Sequence, residues 1–247
     1  MAKRIFLAGA TSAVGRRMLP LLREAGYEVT GTTRIASRAE ELRAAGITPA
    51  VVNVYDRAAL GAAILAARPD VVVHQLTDLP HGLKAELMAE GLIRNARLRI
   101  EGTRNLVDAA LGAGVRRLVA QSIAFVYAPG REPHDESDPL NSPVEEPWRS
   151  TMEGVVTLER LATTSLGLDG LVLRYGMFYG LGTGFEAAAG KPAVHVDAAA
   201  QAAMLVIARG APGIYNVAED DGAVSIARAR RELGWDPNFR LKDFAVR

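Results

Sequence analysis

The chain has 247 residues, 29 basic and 28 acidic side chains, a formal charge of +1 and no cysteine. Without an excess of basic residues there is no counterion-release drive toward a polyanion, so nucleic acid is not an expected partner. The absence of cysteine excludes a disulfide framework, a thiolate zinc site and a cysteine nucleophile; no metal is expected, and a reducing compartment, the cytoplasm, is the expected location.

The first apolar stretch, Ile5 to Gly9, is too short for a signal-peptide core or a bilayer span, and no membrane association is expected. Ile5–Ala8 reads as a strand, followed by the small-residue turn Gly9-Ala10-Thr11-Ser12-Ala13-Val14-Gly15. Val14, Met18, Leu21, Leu22 and Ala25 then recur at helical spacing up to a stop at Gly26, with Pro20 predicting a kink or a shifted start. Glu28–Thr30 and Ala50–Val52 are the next strand candidates, and Leu60 with Ile64 marks a helix. Val71–Val73 is a strand, Gly102–Gly112 lies in a long helix, and Leu118–Ala120 is again a strand. Residues 128 to 149 carry Pro129, Pro133, Pro139, Pro143 and Pro147 among acids, which predicts an irregular lid or binding loop. Val155, Leu158, Leu161 and Ala162 mark a helix ending at Gly167, and Leu171–Leu173 is a strand. A helix near Asp197–Arg209, a strand near Ile214–Val217 and a helix near Ile226–Leu233 complete the chain.

Alternating β and α elements with strands apolar on both faces predict an α/β fold, a Rossmann-like doubly wound parallel sheet. Residues 1–170 are the expected dinucleotide-binding domain, and 171–247 a small C-terminal α/β substrate portion interleaved with it. Two local charge runs, Arg94, Arg97, Arg99 and Arg104, and Glu132, Asp135, Glu136, Asp138, Glu145 and Glu146, read as solvated faces.

A glycine turn after the first strand and at the start of the first helix is where backbone N–H groups approach a pyrophosphate. The acid expected to hold a free ribose about 20 residues beyond that turn is missing. Arg34 stands there after Thr33, with Ser37 and Arg38 nearby. A guanidinium suits a 2′-phosphate, so the expected cofactor is NADP in preference to NAD; the alternative is a solvated arginine at a strand end.

The motifs Gly9/Ser12/Gly15, His74-Gln75-Leu76, Gly102-Thr103-Arg104-Asn105-Leu106, Ser122 to Tyr127, Leu173-Arg174 with Tyr179-Gly180, and His195-Val196-Asp197 run over nearly the whole chain. In them the sequence resembles the extended short-chain dehydrogenase/reductase superfamily, in its NAD-dependent epimerase/dehydratase-like branch, with serine in place of the middle glycine of the loop. The resemblance implies that Gly9, Thr11, Ser12, Ala13, Val14, Gly15, Thr33, Arg34, Arg38, Asn53, Val54, Gln75, Leu76, Thr77, Gln121 and Tyr175 bind the cofactor. It also implies a small-molecule substrate such as a nucleotide sugar, and a homodimer through the Gly102–Gly112 and Val155–Ala162 helices.

The family's Tyr-x-x-x-Lys pair supplies a proton donor and a cation from one helical face. Counting back from Glu159 puts Val155 in the lysine place and Thr151 in the tyrosine place, and no Tyr-x-x-x-Lys occurs anywhere in the chain. Ser122, after the fifth strand, is the candidate catalytic residue; His134 or Glu136 of the acidic loop could replace the proton donor, while His74 and His195 read as structural. Two functions stay open: an oxidoreductase or epimerase with an atypical site, and a non-catalytic NADP-sensing module. The segment between Gly180 and His195 and the chain after Asp221 are shorter than the family pattern, so further mobile residues after Gly184 and after Asp221 are expected.

Overall fold

A computed structural model describes residues 3 to 241. Seven parallel strands form one sheet: β1 (Arg4–Ala8), β2 (Glu28–Thr33), β3 (Thr48–Val51), β4 (Val71–His74), β5 (Arg117–Ile123), β6 (Asp169–Tyr175) and, late in the chain, β9 (Gly213–Val217). A separate parallel pair, β7 (Met177–Tyr179) and β8 (Ala193–His195), stands beyond β6. The helices are α1 (Ala13–Glu24), α2 (Ala39–Ala44), α3 (Arg57–Ala67), α4 (Ala85–Arg97), α5 (Thr103–Gly112), α6 (Trp148–Thr164), α7 (Val196–Leu205) and α8 (Ala227–Leu233); a π turn over Leu98–Gly102 joins α4 to α5.

The strand order is β3-β2-β1-β4-β5-β6-β9, the doubly wound arrangement, in which the chain leaves β1 toward one edge and returns at β4 toward the other. Strand period decides the two layers. Ile5 and Leu7 of β1 face a core shared with α1, α2, α7 and α8, whereas Phe6 and Ala8 face one shared with α3, α5 and α6. Each β1 side chain from Ile5 on is within 1% of complete burial, which accounts for the unbroken apolar run.

Pro20 sits inside α1 without ending it. From Leu171 onward the chain extends the main sheet, since β9 pairs with β6 in register Leu171↔Gly213. Of the segment 128–149, expected to be irregular, residues 128 to 147 are irregular but pinned, while Trp148 and Arg149 already belong to α6. Tyr127 bridges Leu140, and His134 bridges Val224 next to β9. At the two places where extra residues were expected the chain closes tight turns: the Gly180 N–H donates to the Phe185 carbonyl (2.8 Å), and Asp221 accepts from the Ala223 N–H (3.0 Å). No helix among the described residues is long and apolar enough to cross a membrane.

Candidate cofactor and hydride-transfer site

The loop at the C-terminal end of β1 lies between β2 and β4, at the point where strand order reverses and such sheets open a crevice. Gly9 has φ +90°, and a Cβ there would lie 2.4 Å from the Gln75 carbonyl oxygen; a Cβ on Gly15 would lie 2.1 Å from the Gly9 carbonyl oxygen. Neither contact is tolerable, so both positions demand glycine. The middle position makes no such demand. Ser12 is the N-cap of α1, and its Oγ accepts the Gly15 N–H at 3.0 Å. The first-turn N–H groups of Ala13 and Val14 have no intrahelical acceptor and are left for an anion. Thr32 Oγ1 accepts the Gly9 N–H (3.0 Å) and fixes the loop to β2. A pyrophosphate fits this cradle, with Thr11 on its half-buried rim.

At the end of β2, Thr33 is buried and its Oγ1 accepts the Ile35 N–H, turning the chain outward. Arg34 then reaches across the end of β1: its Nη2 is 2.7 Å from Asp78 Oδ1, in the segment after β4. Asp78 is itself anchored by its N–H to Asn95 Oδ1 (2.9 Å), the same oxygen that Thr77 approaches at 3.3 Å. Arg38 closes a short 3-10 turn and is half-buried. Asn53 accepts the Tyr55 N–H, and buried Val54 accepts from Asn105 Nδ2 (2.9 Å).

On the β4–β5 side, the Leu76 carbonyl accepts from Gln121 Nε2 (2.7 Å), and the Leu76 N–H donates to His74 Nδ1 (3.2 Å). The other His74 nitrogen faces Thr103 Oγ1 at 3.1 Å, and burial pushes the imidazole down to about 4, so His74 is a neutral structural residue. Gln75 is fully buried, with Nε2 3.4 Å from the Tyr175 hydroxyl and Oε1 without a partner; burial raises the Tyr175 phenol. The structure thus brings the glycine loop, Gln75, Leu76, Gln121 and Tyr175 together and leaves Arg38 and Asn53 apart from them, after β2 and β3.

Ser122 donates to Glu159 Oε1 (2.7 Å), and Glu159 takes both arms of Arg174, at 2.8 Å and 2.7 Å. Arg174 also donates to the Tyr127 hydroxyl (2.9 Å), which donates to Asn216 Oδ1 (2.6 Å). His134 stacks on Tyr127 and bonds Asp138, while Glu136 accepts the Asn216 N–H (2.9 Å). Both side chains are therefore engaged, His134 within the loop and Glu136 in holding it to β9. His195 is the N-cap of α7, accepting the Asp197 N–H. On α6, Thr151 and Val155 are buried, and Thr151 donates to its own helix at Pro147. A surface cavity of about 540 Å³ lies beside Pro133, Val224, Ile226 and Arg230, away from the glycine loop.

Asp78 and Asn95, which hold Arg34 and Thr77 beside the loop, are residues that sequence reasoning missed. Asp78 lies in a loop with no periodic signal. Arg99 was grouped with its basic neighbours, although helical phase sets it on the opposite side from Arg97.

Fold and loop together define a dinucleotide-binding protein of the Rossmann class. The chain belongs to the NAD dependent epimerase/dehydratase family, whose model matches residues 5–193, so a nicotinamide dinucleotide is its cofactor class. It is 42% identical over 258 residues to a 3-diazoavenalumate denitrifying reductase from Streptomyces sp, covering 95% of this chain and 83% of the relative. Among solved structures it is similar to the UDP-glucose 4-epimerase of Thermotoga maritima with UDP-glucose (TM-score 0.77, 19% identity, 96% of this chain and 94% of that one). It is also similar to the Thermus thermophilus UDP-glucose 4-epimerase in complex with NAD (TM-score 0.76, 20% identity, 96% and 95% covered).

Proposed function

We propose that the protein is an NADPH-dependent reductase of a small organic acid, acting on a group that takes up a hydride without needing a proton from the protein. What supports this is α6, where Thr151 and Val155, the residues that counting back from Glu159 sets in the tyrosine and lysine places, are both buried. No phenol and ammonium are there to protonate an alkoxide. A bound nicotinamide supplies the hydride. Reduction of a carbonyl leaves an alkoxide that needs a proton, whereas a hydride delivered to an aryl diazonium gives the arene and dinitrogen with no proton taken up. The relative named as a denitrifying reductase of a diazo acid supports that substrate class.

In this reading Gly9, Ser12 and Gly15 shape the pyrophosphate cradle, and the Ala13 and Val14 N–H groups bind it. Arg34 and Arg38 take the 2′-phosphate, Asn53 and Val54 border the adenine, and Gln75, Leu76, Thr77 and Gln121 wall the nicotinamide half over Tyr175. Ser122, bonded to Glu159, is a positioning residue at the floor.

The test is incubation with NADPH and either an aryl diazonium carboxylic acid or UDP-glucose, following cofactor absorbance and dinitrogen by mass spectrometry. One dinitrogen per NADPH oxidised is expected with the diazonium acid. Turnover of UDP-glucose alone would return the protein to the nucleotide-sugar class. Tight NADPH binding with neither substrate consumed would make it a cofactor-sensing module.

A further inference from the structure

Arg99 is the one member of the 94–104 basic run that turns inward. Arg97 reaches outward to Glu101 (3.1 and 3.0 Å) and over the ring of Tyr55, but Arg99 lies in the π turn against α6. Gly154 permits that approach: a Cβ there would stand 3.0 Å from Ala96 Cα and 3.3 Å from Arg99 Cβ. The next residue of α6 is Val155, in the place where the lysine is absent. π turns of this kind, with one residue more than the α-helical turn, re-aim side chains and concentrate at functional sites.

The charges around Arg99 do not balance. Among the described residues, the carboxylate that acts on it is that of Glu159, which is already doubly bonded by Arg174 and capped by Ser122. Arg99 also repels a proton from His74, at the end of β4, which is neutral. It forms no ion pair or side-chain hydrogen bond among the described residues, and loss of hydration lowers its pKa to about 10, an arginine in an environment that disfavours its charge. Arg99 packs against Gly154, one residue from Val155 on α6, and is only half-buried, so its guanidinium, which has no carboxylate of its own, stays open to an anion that arrives from outside.

We propose that Arg99 is the anion-binding residue of the substrate site, its guanidinium receiving the carboxylate of the organic acid and so positioning that molecule against the nicotinamide. This rests on the reductase reading for the identity of the acid, and on the placement of Arg99 for the recognition itself. A guanidinium fork matches a carboxylate with two parallel hydrogen bonds, which an ammonium in the lysine place would not reproduce.

The test is calorimetric titration of the full chain with cinnamate and with methyl cinnamate, with and without saturating NADP⁺, for wild type, Arg99→Lys and Arg99→Met. Wild type is expected to prefer the acid over the ester. Arg99→Met is expected to lose at least tenfold in affinity for the acid, with unchanged affinity for the ester and for NADPH. Arg99→Lys is expected to fall between. The melting temperature of Arg99→Met is expected to equal that of wild type, because no ion pair or hydrogen bond is lost; a merely structural arginine would give a lower one. Equal acid binding by wild type and Arg99→Met, a wild type that does not distinguish acid from ester, or a variant that loses stability and NADPH together would overturn the proposal. Failure of wild type to bind NADPH would remove the reductase reading, while the arm without cofactor still reads Arg99.

Discussion

If the 2′-phosphate of NADPH binds Arg34 as proposed, the ion pair of Arg34 with Asp78 is what the phosphate must displace. Their ion pair is 2.7 Å long, but the Arg34 side chain is 62% exposed, so the pair itself contributes about 0.2–1 kcal/mol. A 2′-phosphate offers the same guanidinium charge-assisted hydrogen bonds worth about 1.5–3 kcal/mol, which exceeds the pair it displaces. Wild type is therefore expected to bind NADPH about 2-fold to 100-fold more tightly than NADH, and Arg34→Ala should remove most of that ratio with little effect on NADH. Asp78→Asn removes the competing carboxylate and its repulsion of the phosphate, and should tighten NADPH up to about fivefold, the equivalent of the pair energy. Titration of both cofactors by calorimetry at one fixed ionic strength reads all three ratios. Equal affinities in wild type, or a ratio unmoved by Arg34→Ala, would refute the assignment of the 2′-phosphate to Arg34. A decrease in NADPH affinity in Asp78→Asn would show that Asp78 orients the arginine instead of competing for it.

Glu159→Gln should cost about 3–5 kcal/mol in urea unfolding, because Arg174 would keep a buried charge without its partner; a loss under 1 kcal/mol would mean that solvent reaches the pair. His74 has a pKa lowered to about 4, so the unfolded chain binds its proton first: this contribution to stability is complete above about pH 6.5 and is lost as pH falls toward 4. The stability difference between wild type and His74→Gln should accordingly shift by about 2–3 kcal/mol between pH 7.5 and 4.5, and a constant difference would contradict a buried neutral imidazole. The expected homodimer finds its exposed apolar side chains on α4 and α6, in Leu87, Ile93 and Val156, while α5 turns Leu106, Val107 and Ala110 inward. Light scattering should give a dimer that Ile93→Glu dissociates; a monomeric wild type at micromolar concentration would remove the dimer.

The doubly wound sheet and the phosphate loop were legible because they depend on local terms: apolar runs at strand length, helical periods between them, and glycines that must be small. Gly9 and Gly15 are legible for one reason, since each needs a close backbone approach, although only the fold shows what approaches, the Gln75 and Gly9 carbonyls. Ser12 illustrates the limit. Its type says only that a small residue replaces a glycine, and the fold reveals an N-cap whose oxygen accepts the Gly15 N–H and whose O–H is left to donate. Arg34 was legible by its distance from the loop, but its pairing with Asp78, 44 residues away, was not, because β1 lies between the strands that carry them. The same holds for Ser122, joined to Glu159 and Arg174 across β5, α6 and β6, and for Arg99, whose charge looked like its neighbours'. Sequence by itself determined which segments pair with water and which with a core, since that preference resides in each residue. Tertiary structure alone decided which charges meet, because Coulomb and hydrogen-bond terms fall off within a few ångströms and depend on contacts that only the folded sheet brings about.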